Sequence, residues 1–420
     1  MPRGPLITEL PPPSGGARSD EAAHRLGADA VVADHTSNVV IRDGFLANRP
    51  GMRSINGTVL TDRPMGVVVF RPGTSRYSVV GTLTKLYKLD TAGTGYDDIT
   101  GSTALAGTAT DHVRFTVFPQ GGSDYLIAVN GVTVPQEWTG TSTFSNSGSL
   151  YPADDVTTAA NRVLFFRTVE ASTRYNYRVR WTDFNVRNTS AAANFADLSD
   201  TADIMVAGRA LSRVAVAIYK EESQWVGLAQ AGLAPFRFEL QDQKPGPVSP
   251  AAVVSAEGRH YFLSNGGSVY TFDGIRCTHI GEPIRRWVND NLSFANKRRT
   301  FGFYARGDRD IYWVFCENGS DDPALAISMN VDTGRFFPHE LRRSMTAGAQ
   351  WDLISNITWA DLSSYTWANI AATYPTWASF GSTSKPVEIL TGTDKKVYHF
   401  GVDATDDGLA PTGKWRTASF

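Results

Sequence analysis

At 420 residues with 42% hydrophobic content, the chain is long enough for one large domain or two ordinary ones, so core size sets no limit on it. Charged residues make up 20% and the formal net charge is −2 at pH 7, which argues against a polyanion-binding protein held by bulk electrostatics. Any contact with nucleic acid must be local or weak.

The N-terminal run "MPRGPLITELPPPSGGARSD" has no apolar signal-peptide core, and no later run approaches the roughly 20 apolar residues of a membrane span. The expectation is a chain that folds in a reducing cytosol without a signal peptide. Residues 1–35 read as a Pro/Gly-rich arm, disordered or docked on a neighbour, because the stretch offers too little apolar surface to fold alone. Within it, "EAAHRLGADAVVA" (Glu21 to Ala33) reads as a short helix.

From residue 36 onward the apolar runs are short, β-branched or aromatic, and closed by Gly, Asn or Asp. "HYFLSNGGSVYTFDG" reads as a strand at His260–Leu263, a turn, a strand at Ser268–Phe272 and a second turn at Asp273-Gly274. "RDIYWVFCENGSDDPALAISMNVDTGRFF" repeats that logic, with a longer loop at Glu317–Pro323 and a turn at Asp332–Gly334. Only "GEPIRRWVNDNL", from Gly281, carries a helical pattern of useful length.

The prediction is therefore an all-β fold. "KLYKLD", "SVYTFD" and "KVYHFG" share an apolar residue, a Tyr, a variable residue and then Leu or Phe before Asp or Gly. A hairpin unit recurring along such a chain suggests a β-propeller at 36–420, with an insertion near 351–380. A pair of β-sandwiches is the alternative, but it needs a linker that the sequence does not offer.

Tests for chemistry yield no catalytic or cofactor-binding constellation and no metal site. The seven histidines lack metal-ligand spacing, although His260 and His279 flank one strand pair. Cys277 and Cys316 sit in apolar runs and read as buried thiols. The pairs Asp97-Asp98, Asp154-Asp155, Asp308/Asp310 and Asp321-Asp322 read as turn residues rather than carboxylates facing across a cleft. Asn318, Asp321 and Asp322 offer oxygens to calcium, but without EF-hand spacing they read as a solvated turn.

Two clusters remain as candidates. Arg285, Arg286, Lys297, Arg298 and Arg299, near Trp287 and Phe294, form a candidate weak DNA contact. Their other reading is a solvated face whose aliphatic stems cover a core. Trp359, Trp367 and Trp377 recur in Thr-Trp-Ala units at even spacings, which in extended chain would put them on one face. They are candidates for a protein interface or for glycan stacking.

The order of the segments carries more than any one of them. "DGFLANRPGMRS" is followed by "LTKLYKLDTAGTGYDDITG", "YLIAVNGVTVPQEWTG", "NRVLFFRT", "RVRWTDF", "YKEESQW", "HYFLSNGGSVYTFDG", "IGEPIRRWV" and "ALAISMNVDTGRFF". This succession, over roughly residues 36–420, resembles the tail nozzle proteins of short-tailed bacteriophages, also called tail tubular protein B or phage stabilisation protein. The chain departs from that pattern in ending at "GKWRTASF", which reads as a strand cut short and puts closure of the last blade in question.

The resemblance implies a six-bladed propeller subunit in a homo-oligomeric ring, a hexamer, assembled in the host cytoplasm and located in the virion tail. It implies contact with the head-to-tail adaptor, with tail fibre or spike proteins, and with phage DNA in the lumen. It implies no enzyme activity and no cofactor. The alternatives are a glycan-binding tail propeller and a propeller glycosidase.

Overall fold

The computed structural model of the chain describes residues 15–21, 26, 30–42, 45–90, 94–232, 234–352, 366–367 and 386–416. Among them, seven antiparallel sheets follow one another around a ring, a β-propeller of seven blades. Blade 1 comprises Pro64–Phe70, Tyr77–Thr82, Leu86–Leu89 and Tyr96–Asp98, and blade 2 comprises Arg114–Gln120, Ser123–Val129, Gln136–Trp138 and Ser145–Asn146. Blade 3 uses Ala153–Ala159, Arg162–Glu170, Arg178–Trp181 and Phe195–Asp197, with Thr173–Arg174 as a fifth short strand.

Blade 4 uses Met205–Ala210, Ala215–Lys220, Gln224–Ala229 and Phe236–Asp242, and blade 5 uses Val253–Ala256, Arg259–Leu263, Val269–Phe272 and Cys277–His279. Blade 6 follows with Phe301–Ala305, Asp310–Cys316, Pro323–Asn330 and Phe336–Glu340. Blade 7 takes Met345–Asp352, Pro386–Gly392 and Val397–Phe400 from the end of the chain and its outer strand, Met52–Ser54, from the beginning.

Seven blades correct the expectation of six, and the chain's own spacing gives the reason. The recurrent Tyr87, Tyr270 and Tyr398 all lie on third strands, of blades 1, 5 and 7. The 183 residues between the first two cover four blade steps and the 128 between the last two cover only two, because blade 7 carries a long insertion. The shared outer strand also answers the question of closure, because Met52–Ser54 completes the last blade.

The core is a set of layers, one in each gap between blades. Between blades 1 and 2 lie Met65, Val79, Leu126 and Trp138. Between blades 7 and 1 lie Val67, Val80, Ala347 and Ile389. Second strands are covered on both faces, so Asp310–Cys316 is buried at every position and reads as the continuous run "IYWVFC".

Three of the innermost strands begin alike. In blades 1, 4 and 7 the register slips between Pro64 and Gly66, Met205 and Ala207, and Met345 and Ala347. Glycine follows because neighbouring blades approach closely there: a Cβ on Gly66 would lie 2.1 Å from the Val113 carbonyl oxygen, and one on Gly208 would lie 2.1 Å from the Phe166 ring.

Part of the N-terminal segment packs on its own chain. Gly16–Arg18 pairs in parallel with Ala30–Val32, and Ala17, Val31 and Ala33 join the core layer of blades 5 and 6. The helix expected over Glu21–Ala33 is replaced at its end by strand, in keeping with the β-branched, fully covered Val31 and Val32. The helix expected from Gly281 is present as a 3-10 turn, Glu282–Ile284, running into an α-helix, Arg285–Asn291. No helix among the described residues is long and apolar enough to cross a membrane.

Candidate functional site at the propeller axis

The five basic residues divide into two groups along the connection from blade 5 to blade 6. Arg285 and Arg286 lie on the helix with more than half of each side chain exposed, each 3.7 Å from an acid, Glu282 and Asp290 respectively. Lys297, Arg298 and Arg299 form a 3-10 turn and are committed to partners in the fold: Asn265, Asp154 and Asp321.

Arg298 occupies the decisive position. It donates to Asp154 Oδ2 at 3.4 Å, while its carbonyl oxygen lies 2.8 Å from His112 Nε2. Asp154 begins blade 3 and His112 precedes blade 2, and both blades stand across the ring from blade 6. The segment therefore spans one mouth of the axial channel. The gap left among Asp111, His112, Asn130, Asp154, Pro250 and Arg298 is about 10 Å³, the threshold for a single water. Burial pulls the His112 imidazole down to about 4, so it is neutral at neutral pH.

Asp154 and Asp155 do not form a turn, contrary to the reading from sequence. They lie in the innermost strand Ala153–Ala159, where successive side chains take opposite faces. Asp154 also gathers Arg167, at 2.8 Å, and Arg174. Asp155, fully buried, pairs with Arg114 of blade 2 at 3.3 Å and with Arg209 of blade 4, and accepts from the Gly208 N–H at 3.0 Å. Arg209 continues to the Pro250 carbonyl at 2.5 Å. The alternating "ADDVTTA", rich in β-branched residues, was the available signal for a strand.

Beneath the mouth, the innermost strands of blades 1, 2, 5, 6 and 7 and the residues leading into them border a partly open cavity of about 200 Å³. His112 and Arg114 are the only titratable side chains among its lining residues. A larger cavity of about 820 Å³ lies against blades 6 and 7, lined by Arg42, Arg49, Arg53, Asp308, Glu388 and Asp403 among others. Burial, with a smaller contribution from Asp308, pushes the Glu388 carboxyl up to about 8, and its Oε1 accepts from the Arg306 N–H at 3.1 Å.

The remaining sequence candidates fall elsewhere. Trp367 is 68% exposed, while Trp359 and Trp377 lie outside the described residues. Asp352 pairs with Pro386, so the Trp-rich segment joins the first and second strands of blade 7. His260 and His279 have separate partners, Tyr219 Oη at 2.7 Å and Ser268 Oγ at 2.5 Å. Both cysteines are free and buried. Among the described residues no group of three His, Cys, Asp or Glu side chains is placed to hold a metal ion.

The motifs of the sequence resemblance build blades. In "RVRW", Arg178 forks onto Asp197 at 2.8 and 2.7 Å and Arg180 onto Glu170 at 3.0 and 2.9 Å. In "YKEESQW", the buried Lys220 ammonium donates to the carbonyls of Leu198 and Thr201, and the Trp225 indole donates to Ser223 Oγ at 3.1 Å.

No family model matches the chain, and neither does any curated protein. Among solved structures it is similar to the computationally designed Ika8 protein, at 9% identity over 83% of this chain and 99% of that one, with a TM-score of 0.44. It is similar to YCF48 bound to D1 peptide at 11% identity over 87% and 99%, TM-score 0.44. The WD40 β-propeller domain of Doa1 aligns at 10% identity over 84% and 98%, again with a TM-score of 0.44. These likenesses concern fold alone, and the closed ring of sheets is what makes this chain a propeller.

Proposed function

We propose that the chain is a structural subunit of the tail nozzle of a short-tailed phage, acting through assembly rather than chemistry. In this reading a homo-oligomeric ring, six-membered by analogy, meets the head-to-tail adaptor, retains packaged DNA and releases it on infection. The observation that carries the reading is the ordered succession of segments from "DGFLANRPGMRS" to "ALAISMNVDTGRFF".

The axis supports one feature of it. Arg298 lies across one mouth of the axis, and the cavity of about 200 Å³ beneath it holds only a few waters, which does not suit the axis of a single propeller as a path for duplex DNA. The DNA conduit in this reading lies between subunits. Arg285 and Arg286 are the most exposed members of the basic cluster, and each already lies beside an acid.

The test is mass measurement and negative-stain imaging of the purified chain with and without its adaptor. A ring of about six copies is expected on the adaptor platform. A chain that stays monomeric in its presence and is missing from purified tails would refute the nozzle reading. The exposed Trp367 favours a second reading, a glycan-binding tail propeller. That reading expects glycan-array binding that Trp367→Ala abolishes.

A further inference from the structure

The axial cluster holds two guanidinium groups against one carboxylate. Arg114 and Arg209 both pair with Asp155, which leaves one positive charge in excess on the propeller axis. The two arginines are not equivalent. Arg209 directs its terminal nitrogens to Asp155, the Gly208 carbonyl and the Pro250 carbonyl. Arg114 engages Asp155 through Nε alone, and its two terminal nitrogens make no hydrogen bond among the described residues.

Arg114 lines the cavity of about 200 Å³ and keeps 24% of its side chain exposed, whereas Asp155 has no exposed side-chain surface. Apart from Arg114 and the neutral His112, the wall is backbone and apolar side chain: Gly66, Val67, Val113, Phe301 and Ala347 among others. The edge left over is the one that matches an oxyanion with two parallel N–H donors, on a residue that lines the cavity.

We propose that the axial cavity binds one small oxyanion, of the size of inorganic phosphate or a short carboxylate, through the terminal nitrogens of Arg114. The volume equals roughly seven waters at about 30 Å³ each, enough for a four-oxygen anion with a few waters and too little for a macromolecular segment. Burial, and after it the charge of Arg209, draws the Arg114 guanidinium down to about 10, so it stays cationic at neutral pH. The anion would neutralise the surplus charge.

The experiment is isothermal titration of the full chain in Tris buffer with phosphate in one arm and acetate in the other, alongside thermal unfolding. Saturable binding of one phosphate per chain with a raised Tm is expected. Binding of acetate as well would place short carboxylates in the same site. Arg114→Gln, which keeps a donor for Asp155, should weaken phosphate at least about tenfold, and Arg114→Lys should retain part of the binding. Absence of phosphate and acetate binding to the wild-type chain, whatever the variants do, overturns the proposal. So does a folded Arg114→Gln chain with wild-type affinity.

Discussion

Two ion pairs tie distant parts of this chain together, and they sit in opposite surroundings. At the seam where the chain closes on itself, Arg49 forks onto Asp406 across 357 residues, with neither side chain exposed. At the axial mouth, Arg298 reaches Asp154 across 144 residues, with 45% of the Arg298 side chain exposed. At the seam every nitrogen of the Arg49 guanidinium has a partner, with Nε donating to Asn38 at 2.8 Å, and the Arg342 N–H donates to Asp406 at 3.0 Å. The mouth pair is longer and wetted. The same chemistry therefore closes the fold at one place and only positions a plug at the other, because burial decides how much a charge loses when its partner goes.

Breaking the seam should have the largest effect. Asp406→Ala strands a buried guanidinium and is expected to cost about 3–5 kcal/mol in urea unfolding. A loss below about 1 kcal/mol would mean that the seam does not hold the ring closed. The mouth offers a milder test from its acidic side. Asp154→Ala removes the partner shared by Arg167, Arg174 and Arg298 and should cost about 1.5–3 kcal/mol.

Acid and base act on the two places with opposite sign. Glu388, in the cavity beside the seam, has its carboxyl raised from 4.5 to about 8, so the folded state holds a proton that the unfolded chain has released. Stability from this group is full below about 4.5 and is lost as pH rises through 8. His112, at the mouth, is lowered from 6.5 to about 4, so its contribution is full above 6.5 and is lost as pH falls through 4. Denaturation across pH should therefore show Glu388→Gln removing a fall in stability between about pH 4.5 and 8, and His112→Gln removing a fall on acidification from about 6.5 to 4. If either variant left its slope unchanged, that group would not be the one titrating.

The smallest effect belongs to the basic side of the mouth. Arg298→Ala removes a half-exposed charge and should change stability by less than about 1 kcal/mol. The ratio between Asp154→Ala and Arg298→Ala is the sharpest measure of the comparison, since both break the same bridge. Equal losses would show that the plug, rather than the Asp154 hub, carries the energy.

Much of the fold was legible because it is local. The hairpin from Arg259 to Phe272 lies within a residue of its expected strands, and the recurrent Tyr signature falls on the same strand of three blades. What sequence reasoning missed is non-local. The outer strand of blade 7 comes from residues 52–54, and a count of hairpins along the chain cannot assign it to the other end. Asp154-Asp155 looked like a turn because Asp favours turns, yet the β-branched residues that follow make it strand, and arginines of blades 2 and 4 and of the connection into blade 6 pair with its carboxylates. Arg298 sat within a basic cluster whose charge suggested solvent or phosphate, and nothing near it in sequence reports that its carboxylate partner lies across the ring.

The outer strand of blade 7 also sets a clock. Met52 pairs with Phe400, 348 residues later in the chain. At about 5–20 residues per second, a ribosome needs roughly 17–70 s to deliver the partner strand. Through that interval blade 1 stands with Val67 and Val80 uncovered by blade 7, and the first strand of the circle waits for the last. Nascent chains stalled before residue 386 should therefore present an apolar blade face to chaperones, and release of the final segment should be the event that hides it.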